Sequence, residues 1–339
     1  MKKIVSLILV VAMMATFAFT LSGCGSKSSE TIVIKYGHTD TENSITGRQA
    51  QLFADKVNAA TDGRVKIEVY PLGQLGTSAE LVAGVQSGSV DMTFLTMAMI
   101  GSICDEYAAL DTPYIFDDID QCVKACSTDS ETMKYLNKKL LDETGVKYLF
   151  SFYFGTRETT ANKPIYTPND MKGLKFRSMN FPFYLSYYQA LGAVPTPIDI
   201  TELAQALQTG EIQGQENPVD VILSRQMYEN QKYLVMTNHM ICSQGVVMNG
   251  KKWDKISAED QKIMMQCAQE TIDESYAYVM DLTQSQIDKL TGEYGMTMID
   301  ESNGLDINAF KTLVADYIDK NFREKYATVY DLIEKDKAK

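Results

Sequence analysis

The sequence has few of the side chains with which enzymes perform acid–base and metal chemistry. His38 and His239 are its two histidines in 339 residues, and neither has the spacing of a zinc site. The chain contains no GxSxG nucleophile turn and no GxGxxG dinucleotide-binding motif. We therefore predict no catalytic residues, no metal site and no cofactor.

One segment matches a nucleotide-binding motif by its letters. Gly245–Lys251 reads G-x-x-x-x-G-K, but Lys252 stands where the motif requires Ser or Thr. A phosphate-binding loop needs exposed, flexible amides that lead into a helix. The spacer Val-Val-Met-Asn is instead typical of a strand, so we reject the nucleotide-binding interpretation.

Positive charge is also scarce. The chain has 32 Lys and Arg against 44 Asp and Glu, a formal net charge of −12. An acidic chain without a basic run is a poor candidate for binding nucleic acid. Its field repels anions at long range, so an anionic ligand would have to be held by local, sheltered arginines.

The N terminus predicts export. Two lysines precede an uncharged apolar run, Ile4–Leu21, whose last residue begins the sequence Leu21-Ser-Gly-Cys24. Residues 1–23 are predicted to be a signal peptide; the alternative is an uncleaved anchor, since about 20 apolar residues span a bilayer. The ending resembles the bacterial lipobox. That resemblance implies lipidation of Cys24, a lipidated tether at residues 24–30, and a location on the outer face of the cell membrane.

The remaining cysteines give no metal or disulfide framework. They are odd in number, and Cys122 and Cys126 have no third ligand nearby. We predict that they are mostly small buried apolar residues. The full set is Cys104, Cys122, Cys126, Cys242 and Cys267.

Chain length and periodicity predict an α/β protein with two lobes. Without the first 23 residues the chain still exceeds the ~250–300 residues at which single cores stop growing. Short alternating strands, such as Ile32–Tyr36 and Val65–Val69, flank helical segments such as Ile45–Ala60. This order indicates βαβ units and a largely parallel sheet. A longer helical stretch is predicted at Gln121–Leu141.

A second long helix is predicted near the C terminus. Ser257 and Asp260 form its start, and no Pro or Gly interrupts it before about Leu290. Apolar residues recur at helical spacing along it. We predict that this helix spans both lobes.

Several ordered motifs lie between Gly155 and Gly250. They are Gly155-Thr-Arg157, Gly173-Leu-Lys-Phe-Arg177, Ala206-Leu-Gln-Thr-Gly210, Gln215-Glu-Asn-Pro218 and Thr237-Asn-His239, preceded by Tyr70-Pro-x-x-Gln-Leu-Gly76 and Gly88-Ser-Val-Asp91. With these motifs the chain resembles the extracytoplasmic solute receptors of TRAP (tripartite ATP-independent periplasmic) transporters of the DctP type. The resemblance extends from Ile32 to the C-terminal helices.

The resemblance implies a two-lobed fold like that of periplasmic binding proteins, with mixed sheets, a hinge and a long helix spanning both lobes. We expect lobe I at residues 31–154 plus 243–282, and lobe II at 155–242 plus 283–339. The implied partners are a small organic acid and TRAP-type integral membrane permease subunits, with no nucleic acid.

The resemblance also implies which residues bind the ligand. Arg177 would form the main salt bridge to a ligand carboxylate, assisted by Arg157 and by the amide of Asn217. The residue types agree, because a planar guanidinium at a strand end matches a carboxylate. His38 and Thr39 follow the first strand, where they would contact ligand hydroxyls together with Asp40.

The ligand class stays open between two kinds of carboxylate. Thr96 offers a hydroxyl where sialic-acid receptors of the family place an acidic residue, which disfavours sialic acid. We expect a sugar acid, such as a hexuronate or aldonate, or a C4-dicarboxylate. The alternatives are a receptor that presents its ligand to a membrane sensor, and a secreted enzyme on the same scaffold.

Overall fold

A computed structural model describes residues 31–338 of the chain. The predicted signal peptide at residues 1–23, and the predicted lipidated tether at 24–30 with Cys24, lie outside the described residues. None of the described helices is both long enough and apolar enough to cross a membrane.

The described residues form one mixed sheet of nine strands. Its order is β2-β1-β3-β8-β4-β7-β5-β6, with β9 paired to β8 off this path. Five strand pairs are parallel: β1–β2, β1–β3, β5–β6, β5–β7 and β8–β9. Three pairs are antiparallel: β3–β8, β4–β8 and β4–β7. The strands are β1 Ile32–Gly37, β2 Val65–Tyr70, β3 Met92–Thr96, β4 Val146–Ala161, β5 Lys175–Ser178, β6 Val194–Pro197, β7 Gly214–Pro218, β8 Tyr233–Asn249 and β9 Thr297–Ile299.

Helices alternate with the strands along the chain and supply the crossover connections that parallel strands require. In chain order they are α1 Ile45–Ala60, α2 Ser78–Ser87, α3 Met97–Gly101, α4 Ile119–Cys126, α5 Glu131–Thr144, α6 Pro182–Ala190, α7 Leu203–Thr209, α8 Val219–Ser224, α9 Gly250–Trp253, α10 Ala258–Asp288, α11 Ile307–Asn321 and α12 Ala327–Lys337. Short 3₁₀ turns lie at Asp105–Asp111, Pro168–Met171, Met227–Glu229 and Glu301–Asn303, and a π turn, Lys289–Glu293, follows α10.

Local sequence signals explain where helices begin and end. A capping box begins α2, since Thr77 and Glu80 satisfy each other's backbone N–H groups. Gly88 ends that helix with φ 88°, a left-handed conformation that glycine adopts without steric cost.

Two long strands, β4 and β8, form the centre of the sheet. They pair antiparallel from Val146 opposite Asn249 to Ala161 opposite Tyr233. Strand β3 pairs with one end of β8, and β7 pairs with the opposite end of β4. The sheet therefore has a β2-β1-β3 end and a β7-β5-β6 end, joined through β4 and β8.

The register of this central pair shifts where the two ends meet. One irregularity falls between Tyr153 and Gly155, and Gly155 has φ 126°. Extra residues of this kind bend a strand and increase its local twist. Because of this bend, β4 and β8 can pair with strands at both ends of the sheet.

Helix α10 runs alongside both ends, as predicted for the long C-terminal helix. Lys56 of α1 donates to Glu274 at 2.8 Å, and Gln286 donates to Asp220 of α8 at 2.8 Å. Helix α12 packs elsewhere, against α4 and α5. The Thr132 N–H donates to Asp336 at 2.8 Å there.

Some predictions of secondary structure were wrong. The stretch Gln121–Leu141 is two helices, because Ser130 caps a new helix by accepting from the Met133 N–H at 2.9 Å. The chain between the two helices is a short turn. The segment Gly245–Asn249 lies within β8, which confirms the rejection of a phosphate-binding loop. The five described cysteines are buried, as predicted, and they are free thiols.

Candidate ligand-binding site

A cavity of about 340 Å³ lies between the two ends of the sheet. Its size is within the range of small-molecule sites in proteins. The β2-β1-β3 end contributes Thr39, Asp40, Ser78, Phe94 and Thr96, the centre contributes Phe154, Arg157 and Gln244, and the opposite end contributes Arg177, Met179, Asn180, Asp199 and Asn217, among others. Arg157, Arg177, Asn217, Thr39 and Thr96, all predicted from sequence, are thus brought together on one cavity.

Arg177 projects from the short strand β5 and is 2% exposed. Its Nε donates to the Ile198 carbonyl at 2.8 Å, whereas its buried Nη1 has no hydrogen-bond partner among the described residues. Burial lowers the pKa of Arg177 to about 10, so the guanidinium remains charged at neutral pH. A buried cation without a partner carries a large desolvation cost unless an anion binds it.

Arg157 is equally buried but is already paired. It lies on β4 opposite Pro218 of β7, and this register brings it to the acidic residue before Asn217. Its Nε and Nη2 both donate to the Glu216 carboxylate, and Nη2 also lies 3.0 Å from Asn217 Oδ1. The guanidinium carbon lies 5.2 Å from the centre of the Tyr184 ring.

Glu216 is held as a carboxylate by two neighbours. Burial alone would raise the pKa of Glu216, but the charge of Arg157 and hydrogen bonds from His239 and Arg157 lower it to about 2. Burial lowers the pKa of His239, which keeps the imidazole neutral. The His239 Nε2 therefore donates to Glu216 at 3.2 Å, and Nδ1 accepts from the Thr237 hydroxyl at 2.8 Å.

Asn217 is fixed in orientation by the same group of residues. Its Oδ1 accepts from Arg157, and its Nδ2 donates to Gln215 Oε1 at 2.5 Å. An amide nitrogen carries two protons, so a second N–H is available on the cavity side. The side chain is positioned before any ligand arrives.

The opposite wall supplies neutral hydrogen-bonding groups. The Thr96 hydroxyl caps α3 by accepting from the Met99 N–H at 3.2 Å, so its own proton remains free to donate. Gln244, which faces Thr96 across the β3–β8 pair, has a buried Oε1 without a partner among the described residues. Thr39 lines the cavity from the start of the loop that follows β1.

His38 lies behind the wall rather than on it. Its ring stacks on Phe94 with centroids 5.1 Å apart, and Phe94 lines the cavity. Both ring nitrogens are buried and have no partner among the described residues. Burial is the largest effect on the pKa of His38 and lowers it, so the ring is neutral at neutral pH.

Two acidic residues, Asp40 and Asp199, line the cavity, and each links the two ends of the sheet. Arg225 donates to the Thr39 carbonyl and lies 3.6 Å from Asp40, and so joins the two ends of the sheet. Asp199 accepts from the Thr201 N–H at 3.0 Å and from the Ser78 N–H at 3.4 Å, which is a second link between the ends.

Glu216 and His239 lie in the motifs named above, but neither was predicted to be a site residue. The signal that could have identified Glu216 is Arg157, since a guanidinium in a sheltered cleft requires a carboxylate partner. Gln244 carries no comparable signal, because it is one polar residue in an apolar strand. No group of three or more potential metal ligands occurs among residues 31–338.

Solved structures share this fold. A TRAP periplasmic solute-binding protein from Roseobacter denitrificans OCh 114, solved with bound L-galactonate, matches with a TM-score of 0.82 and 28% identity, over 88% of this chain and 98% of that one. One from Polaromonas sp. JS666, bound to D-erythronate, matches with a TM-score of 0.83 and 30% identity, over 91% and 99%. The α/β, two-lobed, binding-protein-like architecture is thereby confirmed. The class defined by the fold and cavity is that of solute-binding proteins of TRAP transporters.

The sequence comparison gives the family. Residues 36–325 match the model of bacterial extracellular solute-binding protein family 7, DctP, and the chain belongs to this family. The sialic acid-binding periplasmic protein SiaP of Vibrio cholerae serotype O1 is 32% identical over 254 residues, which cover 75% of this chain and 78% of that protein. The chain therefore acts outside the cytoplasm.

Proposed function

We propose that this chain captures a small carboxylated solute outside the cytoplasm and delivers it to the membrane subunits of a TRAP transporter. Its relatives in the comparisons are solute-binding proteins, including ones with bound sugar acids.

The observation that carries this proposal is the state of Arg177. A buried guanidinium with an unpartnered Nη1 beside a cavity calls for an anion, and a carboxylate matches its planar fork. Arg157 then shapes the same end of the cavity, and Asn217 offers an N–H to the second carboxylate oxygen. Thr39, Thr96 and Gln244 face the remainder of the ligand, with His38 supporting Phe94 from behind.

The test is a thermal-shift and calorimetric screen of organic acids on the wild type, Arg177→Lys and Arg177→Ala. Lysine keeps the charge but lacks the fork, so both variants are expected to lose binding of every acid that stabilises the wild type. Arg323→Lys, an exposed arginine, is the matched control and should bind normally. Undiminished binding by both Arg177 variants would contradict the proposal that Arg177 binds the ligand carboxylate.

The anchoring of the protein is a separate part of the proposal. Cys24 is lipidated after removal of residues 1–23 and tethers the protein to the outer face of the membrane. Cys24→Ala should release the protein into the soluble fraction, whereas Cys104→Ala should not. Persistent membrane association of Cys24→Ala would contradict the anchor.

The two lobes comprise residues 31–154 plus 243–282 and residues 155–242 plus 283–339, and they move about the bend in β4 and β8. The register shift beside Gly155 supports a hinge there. Helix α12 returns to pack on α4 and α5 of the first lobe. Small-angle scattering with and without ligand tests the motion, and an unchanged radius of gyration would count against it.

A further inference from the structure

The charges around the cavity distinguish between the two ligand classes considered above. Four charged side chains line it: Arg157, Arg177, Asp40 and Asp199. Two of these are offset by a neighbour of opposite charge behind the wall. Glu216 pairs with Arg157 at hydrogen-bonding distance, and Arg225 lies 3.6 Å from Asp40.

Arg177 and Asp199 form no salt bridge with a described residue, although the charge of Asp199 raises the pKa of Arg177 and so acts against the effect of burial. Arg177 lines the cavity and has a buried Nη1 without a hydrogen-bond partner among the described residues. Asp199 is hydrogen-bonded by neutral donors alone, from Thr201 and from the Ser78 N–H. Burial opposes ionisation of Asp199, but these hydrogen bonds outweigh burial and lower its pKa, so it is a carboxylate at neutral pH.

Arg177, which forms no salt bridge, can pair with one ligand carboxylate. A second ligand carboxylate would have no unpaired arginine or lysine on the cavity wall and would meet Asp40 or Asp199. Like charges in a sheltered site repel more strongly than in water. The neutral groups of Thr39, Thr96 and Gln244 instead suit hydroxyls, and the unpartnered Gln244 Oε1 requires a donor.

We infer that the site selects polyhydroxylated monocarboxylates, of the aldonate kind, and rejects dicarboxylates of the same length. This inference rests on the proposed function, since it assumes that Arg177 holds the first carboxylate. Selectivity arises from the acidic groups that oppose a second charge as much as from contacts with the favoured ligand.

The test compares acids that differ in a single group. Galactonate and galactarate share a six-carbon skeleton, as erythronate and tartrate share four carbons, and each second member replaces a terminal CH₂OH by a carboxylate. Calorimetry at pH 7.5 should give at least about tenfold tighter binding of the monocarboxylate in the pair whose length fits. Equal or tighter binding of the dicarboxylate would overturn the inference.

Asp199→Asn removes one negative charge from the cavity wall with little change of shape. The ratio of dicarboxylate to monocarboxylate affinity should rise by at least about threefold in this variant. Asp316→Asn, at an exposed position on α11, should leave the ratio unchanged. An unchanged ratio in Asp199→Asn would show that this carboxylate does not select against the second charge.

The outcomes separate the inference from the function on which it rests. Binding of dicarboxylates that is lost in Arg177→Ala would overturn the inference and leave the carboxylate receptor intact. Binding of neither class, or binding unaffected by Arg177→Ala, would overturn both.

Discussion

We predict that the buried carboxyl group of Asp111 makes the free energy of unfolding depend on pH. The side chain is 1% exposed; its Oδ2 accepts from the Ala98 N–H at 2.8 Å and the Tyr184 hydroxyl at 3.1 Å. Its Oδ1 is buried without a partner among residues 31–338. Burial is the largest effect on the carboxyl group and raises its pKa from 3.8 to about 6.

The sign follows from proton linkage. Between pH 3.8 and about 6 the native Asp111 holds a proton that the unfolded chain has released. The contribution of Asp111 to stability is therefore fully present below pH 3.8 and is lost as pH rises through about 6. A shift of this size corresponds to roughly 3 kcal/mol at 1.36 kcal/mol per pH unit.

Asp111→Asn isolates this contribution. The asparagine Oδ1 can keep both hydrogen bonds, but the side chain cannot titrate. The difference in free energy of unfolding between the wild type and the variant should change by roughly 3 kcal/mol from pH 4 to pH 7, with the wild type favoured more at pH 4.

The assay is urea unfolding followed by circular dichroism at several pH values. Groups that titrate equally in both proteins cancel in the difference. Asp316→Asn, at an exposed position, is the control and should show a flat difference. A flat difference for Asp111→Asn as well would refute the assignment of an unfavourably buried carboxylate.

Three further predictions concern the cavity and its frame. Glu216→Gln should lower the free energy of unfolding by about 3–5 kcal/mol, because Arg157 then remains buried without its carboxylate; a loss in urea unfolding below about 1 kcal/mol would contradict this pairing. Arg225→Gln should accelerate ligand release about threefold or more in stopped-flow experiments, since Arg225 reaches Asp40 from the opposite end of the sheet; an unchanged release rate would exclude that role. Gly155→Ala should cost about 1–3 kcal/mol in urea unfolding because of its φ of 126°, and wild-type stability would be inconsistent with the bend.

Local features of the fold were predictable from sequence. The Thr77 and Glu80 capping box, the long uninterrupted helix α10 and the short strand with Arg177 each depend on residues close together in the chain. Their hydrogen bonds and apolar spacing are set within a few residues. The structure contains them nearly as predicted.

The centre of the sheet was not predictable in the same way. Strands β4 and β8 pair over most of their length although β5, β6 and β7 intervene in sequence. Gly155 resembles a strand end in sequence, but in the structure it bends a continuing strand. Only long-range pairing distinguishes these two cases, and no local pattern encodes that pairing.

Some residues of the site were likewise predictable from sequence and others were not. Arg177, Arg157 and Asn217 lie in motifs that a family resemblance identifies. Asp199 and Gln244 enter the cavity because of where their elements meet, and His38 is placed behind Phe94 by ring stacking. Two of the residues that would discriminate between ligands, Asp199 and Gln244, were therefore not predicted from sequence, whereas Thr39 and Thr96 were.

The most direct measurement of the central claim is a crystal structure of the complex with a bound sugar acid. The account predicts a ligand carboxylate oxygen about 2.7–2.9 Å from Nη1 of Arg177, the distance of a charge-assisted hydrogen bond. A ligand whose carboxylate lies elsewhere in the cavity, with Nη1 still unpartnered, would contradict it.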